Sequence, residues 1–157
     1  MPANGELPER HVRKGDGRPE TMPVHRAFRA SQHQPLPHGW AIPAPTPEVV
    51  ERLRLHGIRF TVQTAVERLS AARFAVDKKT KRKRPYQGHQ ELELTGTWEA
   101  AAEIELPVGT LRIPAAQPLA RVAAVLLEPC SEDSLSTWNF FEAATTTHYP
   151  VLRVQAR

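Results

Sequence analysis

The sequence predicts an α+β fold, a mainly antiparallel β-sheet or sandwich-like module with two short helices, over residues 37–157. An extended or disordered lead is expected over residues 1–36. Three observations carry this. Residues 91–95 and 102–106 alternate apolar and polar side chains, as half-buried antiparallel strands do. Leu119, Val122, Ala123, Leu126 and Leu127 follow the amphipathic helical template. Nine of the fifteen prolines fall in the first 47 residues, where no stretch holds a period of 2 or 3.6.

The elements follow in order. Trp40-Ala41-Ile42 reads as a short strand closed by Pro43. Thr46 is a natural N-cap, Pro47 suits the first helical position, and Glu48 complements the helix dipole. Val49, Val50 and Leu53 share a face, and His56-Gly57 ends the helix with Gly57 as its left-handed residue. Ile58 to Val62 alternates as a strand. Residues 63–77 read as one long, irregular strand running into the basic run. Strands are expected at Leu92–Leu94, Ala102–Leu106 and Leu111–Ile113, the last two joined by the turn Pro107-Val108-Gly109. Pro118 opens the second helix and Pro129 stops it. Ser131–Ser136 is a polar loop, and Trp138–Phe141 and Tyr149–Val154 close the chain with aromatic residues best placed in a core.

The 157 residues carry a formal charge of +4. Six positive charges sit in seven positions: Lys78, Lys79, Lys81, Arg82, Lys83 and Arg84. Without them the chain holds 15 basic and 17 acidic residues, so the basicity is one local feature. The run reads either as a polyanion contact or as the solvated tip of a hairpin. No aromatic residue is interleaved with the charges, which favours the solvated tip and weakens a nucleic-acid partner. No run of eighteen apolar residues exists, which excludes a spanning helix. The N-terminus shows no secretion signal, which makes the cytoplasm the default expectation.

Catalytic signatures are missing. The histidines are His11, His25, His33, His38, His56, His89 and His148. None has a histidine four residues on or a glutamate three residues on, the spacings that bring two ligands to one helix face. Cys130 is the only cysteine, which excludes an internal disulfide and a multi-cysteine zinc site. Its acidic neighbours, Glu128 before it and Glu132 and Asp133 after it, are expected to raise its pKa and blunt its thiolate. There is no GxSxG elbow and no GxxxxGK[ST] loop.

A set of ordered fragments adds to this. They are Pro37-His38-Gly39-Trp40-Ala41-Ile42-Pro43, the helix Val49–Leu53 ending in His56-Gly57-Ile58, and Pro85-Tyr86-Gln87-Gly88-His89. Next come Pro107-Val108-Gly109-Thr110, Gln117-Pro118-Leu119-Ala120 and Leu126-Leu127-Glu128-Pro129. Asp133-Ser134-Leu135, Trp138-Asn139-Phe140-Phe141 and Tyr149-Pro150-Val151 with Arg153 complete the set. In order and spacing, roughly the last 120 residues resemble the C-terminal part of bacterial zinc carboxypeptidases of the carboxypeptidase A type. Trp40 replaces an expected tyrosine and Glu142 an expected aspartate. The resemblance implies an accessory region that follows a catalytic domain in which two histidines and a glutamate hold zinc. The HxxE motif of that domain does not occur in these 157 residues, so no catalytic or metal-binding residue is carried over. Zinc is expected only in the catalytic domain, which is the expected partner. Three functions stay open: a non-catalytic accessory or interaction domain; part of a metallocarboxypeptidase whose catalytic half lies elsewhere; or a polyanion-binding module using residues 78–84.

Overall fold

The structure is a computed structural model that describes Gly15 and residues 34–86, 88–141 and 144–156. Apart from Gly15 and residues 34–36, the lead expected over 1–36 lies outside the described residues. Eight strands and two helices follow in the order β1 (Gly39–Ile42), α1 (Pro47–Leu55), β2 (Thr61–Val62), β3 (Glu67–Ala72), β4 (Phe74–Lys81), β5 (Leu92–Trp98), β6 (Ala102–Leu106), β7 (Leu111–Pro114), α2 (Ala120–Leu127) and β8 (Leu152–Val154). Six strands form one antiparallel sheet in the order β2-β7-β1-β8-β3-β6, and β4 and β5 form a separate two-stranded ribbon. The fold is α+β, as the hydrophobic periods require.

Chain length forces the large sheet to curl. In a flat sheet β6 and β7 would lie four strand spacings apart, about 19 Å. The five Cα steps from Leu106 to Leu111 reach at most about 18 Å when fully extended. They are not extended: Thr110 donates its N–H and its hydroxyl to the Pro107 carbonyl, at 3.3 and 2.7 Å. The link from Val62 to Glu67 spans the same four positions under the same limit. Both edges therefore swing toward each other, and Gln63 sits at the seam. Its side-chain amide donates to the carbonyls of Leu106 at 2.9 Å and Ala65 at 2.7 Å. Its backbone exchanges hydrogen bonds with Thr110 and Gly109.

The curl creates two cores that share β1. Ala41, Leu69, Ala71, Leu106, Leu152 and Val154 fill the concave side. Trp40, Ile42, Leu111 and Ile113 point outward and are covered by Val49 and Leu53 of α1, Ala123 and Leu127 of α2, and Phe74, Leu92 and Leu94 of the ribbon. All four residues of β1 are buried, because each of its faces meets one core. α1 is built as its sequence indicates. The Thr46 hydroxyl accepts from Val49 N–H at 3.4 Å. Its end is a Schellman cap: Ile58 N–H donates to Leu53 and Gly57 N–H to Arg54, both at 2.9 Å, with Gly57 at φ +69°. The Glu48 carboxyl is held below its usual pKa, first by a backbone N–H and then by the Thr46 hydroxyl.

Three expectations change. Residues 63–77 are not one strand: the chain leaves the large sheet at Arg73, and β3 and β4 belong to different sheets. Within residues 58–62 only Thr61–Val62 pairs. Trp138–Phe141 lies in a series of turns. The ribbon also contains a tight crossing. A Cβ on Gly96 would lie 2.0 Å from the Ala75 carbonyl oxygen and 2.8 Å from the Phe74 ring. Gly96→Ala is expected to cost about 2–3 kcal/mol in denaturant unfolding, since backbone must move to admit the methyl group. A loss within about 0.5 kcal/mol, the usual range for an unconstrained surface site, would contradict this packing.

Candidate functional site

The basic run does not form the hairpin tip. Lys78, Lys79 and Lys81 belong to β4, and only Arg82, Lys83 and Arg84 lie beyond it. The hairpin closes at Tyr86 and His89, whose backbones exchange hydrogen bonds at 2.8 and 2.9 Å around Gly88 at φ +82°. The six cations are not equivalent. Lys79 lies opposite Leu94 and its ammonium donates to the Thr145 carbonyl. Arg82 pairs with Glu91 at 2.9 Å. Lys83 and Arg84 are exposed and have no ion-pair partner among the described residues. Arg82, Lys83, Arg84, Pro85, Tyr86 and Glu91 line an open groove of about 540 Å³.

Aromatic side chains that the sequence separates meet beside this groove. The Tyr86 ring is 56% exposed and lies 6.5 Å from the Trp138 ring. The His89 ring stands edge-on to Trp138 at 5.8 Å. Backbone and side-chain bonds hold Trp138 there: Leu92 N–H donates to the Thr137 carbonyl at 3.1 Å, and the Asn139 amide to the Gln90 carbonyl at 3.1 Å. Asn139 itself takes φ +67°, which asparagine tolerates better than most residues. Nothing local in the sequence announces the pairing. The aromatic density at 138–141 was the one signal, and it points to a core that only Phe141 fully joins, edge-on to Tyr149 at 5.5 Å. Phe140 is half-buried beneath the Arg52 guanidinium, at 5.2 Å.

Comparison with protein-family models, with curated proteins and with solved structures finds no match to this chain.

A second polar constellation lies inside. Glu128, the residue that ends α2, accepts from the Trp40 indole N–H at 2.8 Å. Arg153 donates Nε to both Glu128 oxygens, at 3.0 and 3.1 Å, and its terminal Nη2 to Oε2. The guanidinium also stacks 4.1 Å from the Trp98 ring centre. The two charged side chains are only 10% and 16% exposed. Such a bidentate pair engages both carboxylate oxygens, and its role is to hold elements together.

The remaining candidates are dispersed. No group of three or more His, Cys, Asp or Glu side chains converges among the described residues. His56 forms the helix end, its N–H bonded to Arg52. His148, which lacks a sequence-visible partner, lies 3.2 Å from the Glu99 carboxylate. His11, His25 and His33 fall outside the described residues. Glu132 and Asp133 are exposed loop residues. Among the described residues, no helix is long and apolar enough to cross a membrane. A further cavity of about 420 Å³ opens beside Arg112 on β7, which is paired with Glu67 of β3 at 3.3 Å.

Cys130 keeps its expected direction, with burial of the thiol as the larger cause and only Glu128 among its expected acidic neighbours contributing. Burial raises its pKa first and the Glu128 carboxylate second, while Arg153 opposes. Glu132 and Asp133 do not set it. The thiol leans on the Leu94 carbonyl at 3.6 Å. Alkylation of Cys130 by iodoacetamide is expected to reach half-rate above the ordinary thiol value of about 8.5. Cys130 is exposed as a residue, and a midpoint at or below about 8.5 would show that its thiol is open to solvent as well.

Proposed function

We propose that residues 37–157 form a non-catalytic accessory domain of the kind that follows the catalytic domain in zinc carboxypeptidases of the carboxypeptidase A type. One observation supports this: the larger apolar positions and the one buried ion pair that carry the resemblance belong to the frame, although its fragments also include exposed residues such as Tyr86 and Val108. Trp40, Ile42, Leu53, Thr110, Leu127, Tyr149 and Val151 are almost wholly buried. Gly57 caps α1, and Glu128 and Arg153 form the internal ion pair. Likeness concentrated at such positions speaks of a shared scaffold, since catalytic groups must reach a substrate. On this reading the domain's role is support, substrate presentation or contact with a catalytic partner. Burial holds the Tyr149 phenol far above its usual pKa, so it is no proton donor or base near neutrality.

Zinc content and carboxypeptidase turnover of the purified chain test the proposal. The expected result is neither stoichiometric zinc nor release of C-terminal residues from peptides. Stoichiometric zinc accompanied by turnover would overturn it, because a hydrolytic zinc must lower the pKa of a bound water within this chain. If a second polypeptide bearing HxxE restored turnover on mixing, the chain would instead be one half of a split metallocarboxypeptidase.

A further inference from the structure

The groove at the end of the ribbon combines two features that the accessory role does not require. One is a cluster of cations, of which Lys83 and Arg84 have no ion-pair partner among the described residues. The other is an exposed aromatic face, Tyr86, backed by Trp138 and His89. A solvated turn needs the first for solubility. It has no use for the second, since exposing a tyrosine ring beside a half-buried tryptophan forfeits burial that either could have had.

We propose that this groove binds single-stranded nucleic acid, with backbone phosphates on Arg82, Lys83 and Arg84 and a base stacked on Tyr86. Every base has a π-face, so a lone exposed ring beside a cationic rim accepts a strand without reading its sequence. The chemistry selects a single strand over a duplex. A duplex hides its base faces, and its grooves are read by a helix or a β-ribbon laid along them. Here the free cations occupy a short bend, and the ring lies at the bend's end. A sulfated polysaccharide would meet the charges, but its sugars offer only C–H faces to the ring, where a base offers an aromatic one. Glu91 sets the limit of the cationic rim, because it already engages Arg82 at 2.9 Å. The Trp138 support is anchored by the bonds to Gln90 and Leu92, so the shelf is built before any ligand arrives.

Fluorescence anisotropy of a labelled oligothymidylate of about twelve residues, titrated with the full chain, tests this. Three phosphate contacts predict a slope of log K against log salt of about −2, and the Lys83→Ala/Arg84→Ala variant should bring it to about −0.7. Tyr86→Ala should weaken binding roughly 5- to 150-fold, while Tyr86→Phe keeps it, because the ring and not the hydroxyl carries the stacking. Tyr86 is largely exposed, so its variants should unfold at the wild-type temperature. No binding at about 50 mM salt would overturn the proposal. So would unchanged affinity in Tyr86→Ala, or affinity for the matching duplex equal to that for the single strand. Retention on heparin that Tyr86→Ala leaves intact, with no oligothymidylate binding, would mark the groove as a polysaccharide contact instead.

Discussion

The structure depends on one carboxylate. Glu128 closes α2, a place where the helix dipole repels negative charge, and it is almost removed from water. It is stable there because Arg153 grips both its oxygens and the Trp40 indole adds a further donor. Each partner brings an element with it. Trp40 belongs to β1, Arg153 to the neighbouring β8, and Trp98, beneath the guanidinium, to the ribbon. The same contact thus fixes the helix end, the centre of the curled sheet and the ribbon over the outer core. Arg153 lies directly opposite Trp40 in the β1–β8 ladder, so the pair needs no backbone distortion to form.

Local signals were legible and long-range ones were not. Thr46, Pro47 and Gly57 mark α1 because capping involves only neighbours in the chain. Leu92, Leu94, Ile104 and Leu106 mark their strands because one face is wet. β1 was readable as a strand only from its bounding proline, since burial on both faces erases alternation. The break at Arg73 carries no Gly or Pro. It is a change of sheet, which tertiary pairing alone decides, so residues 63–77 looked continuous. The polar stretch 131–137 shows the same limit from the other side. Ser134, Ser136 and Thr137 are buried, because their hydroxyls satisfy one another and nearby carbonyls.

The candidate groove divides in the same way. Its cations stand out in the sequence as a run, yet the run hides their different fates. Lys79 is drawn to a carbonyl, Arg82 to Glu91, and Lys83 and Arg84 remain exposed. The ring support from Trp138 comes from 52 positions beyond Tyr86, and only the bonds that dock the 134–141 turns on β5 create it. Inward charge and outward charge thus have separate work. The first is paired and ties the helix end to the sheet and the ribbon. The second faces solvent at the end of the ribbon.

On this view Glu128 and Arg153 act on each other and on the frame. A double-mutant cycle in denaturant unfolding tests it most directly, with Glu128→Leu, Arg153→Met and the two combined. Each single change leaves a buried charge without its partner and should cost about 3–5 kcal/mol. The combined variant should be more stable than either single one, with a coupling of at least about 2 kcal/mol. Losses that simply add, to within about 0.5 kcal/mol, would contradict the account.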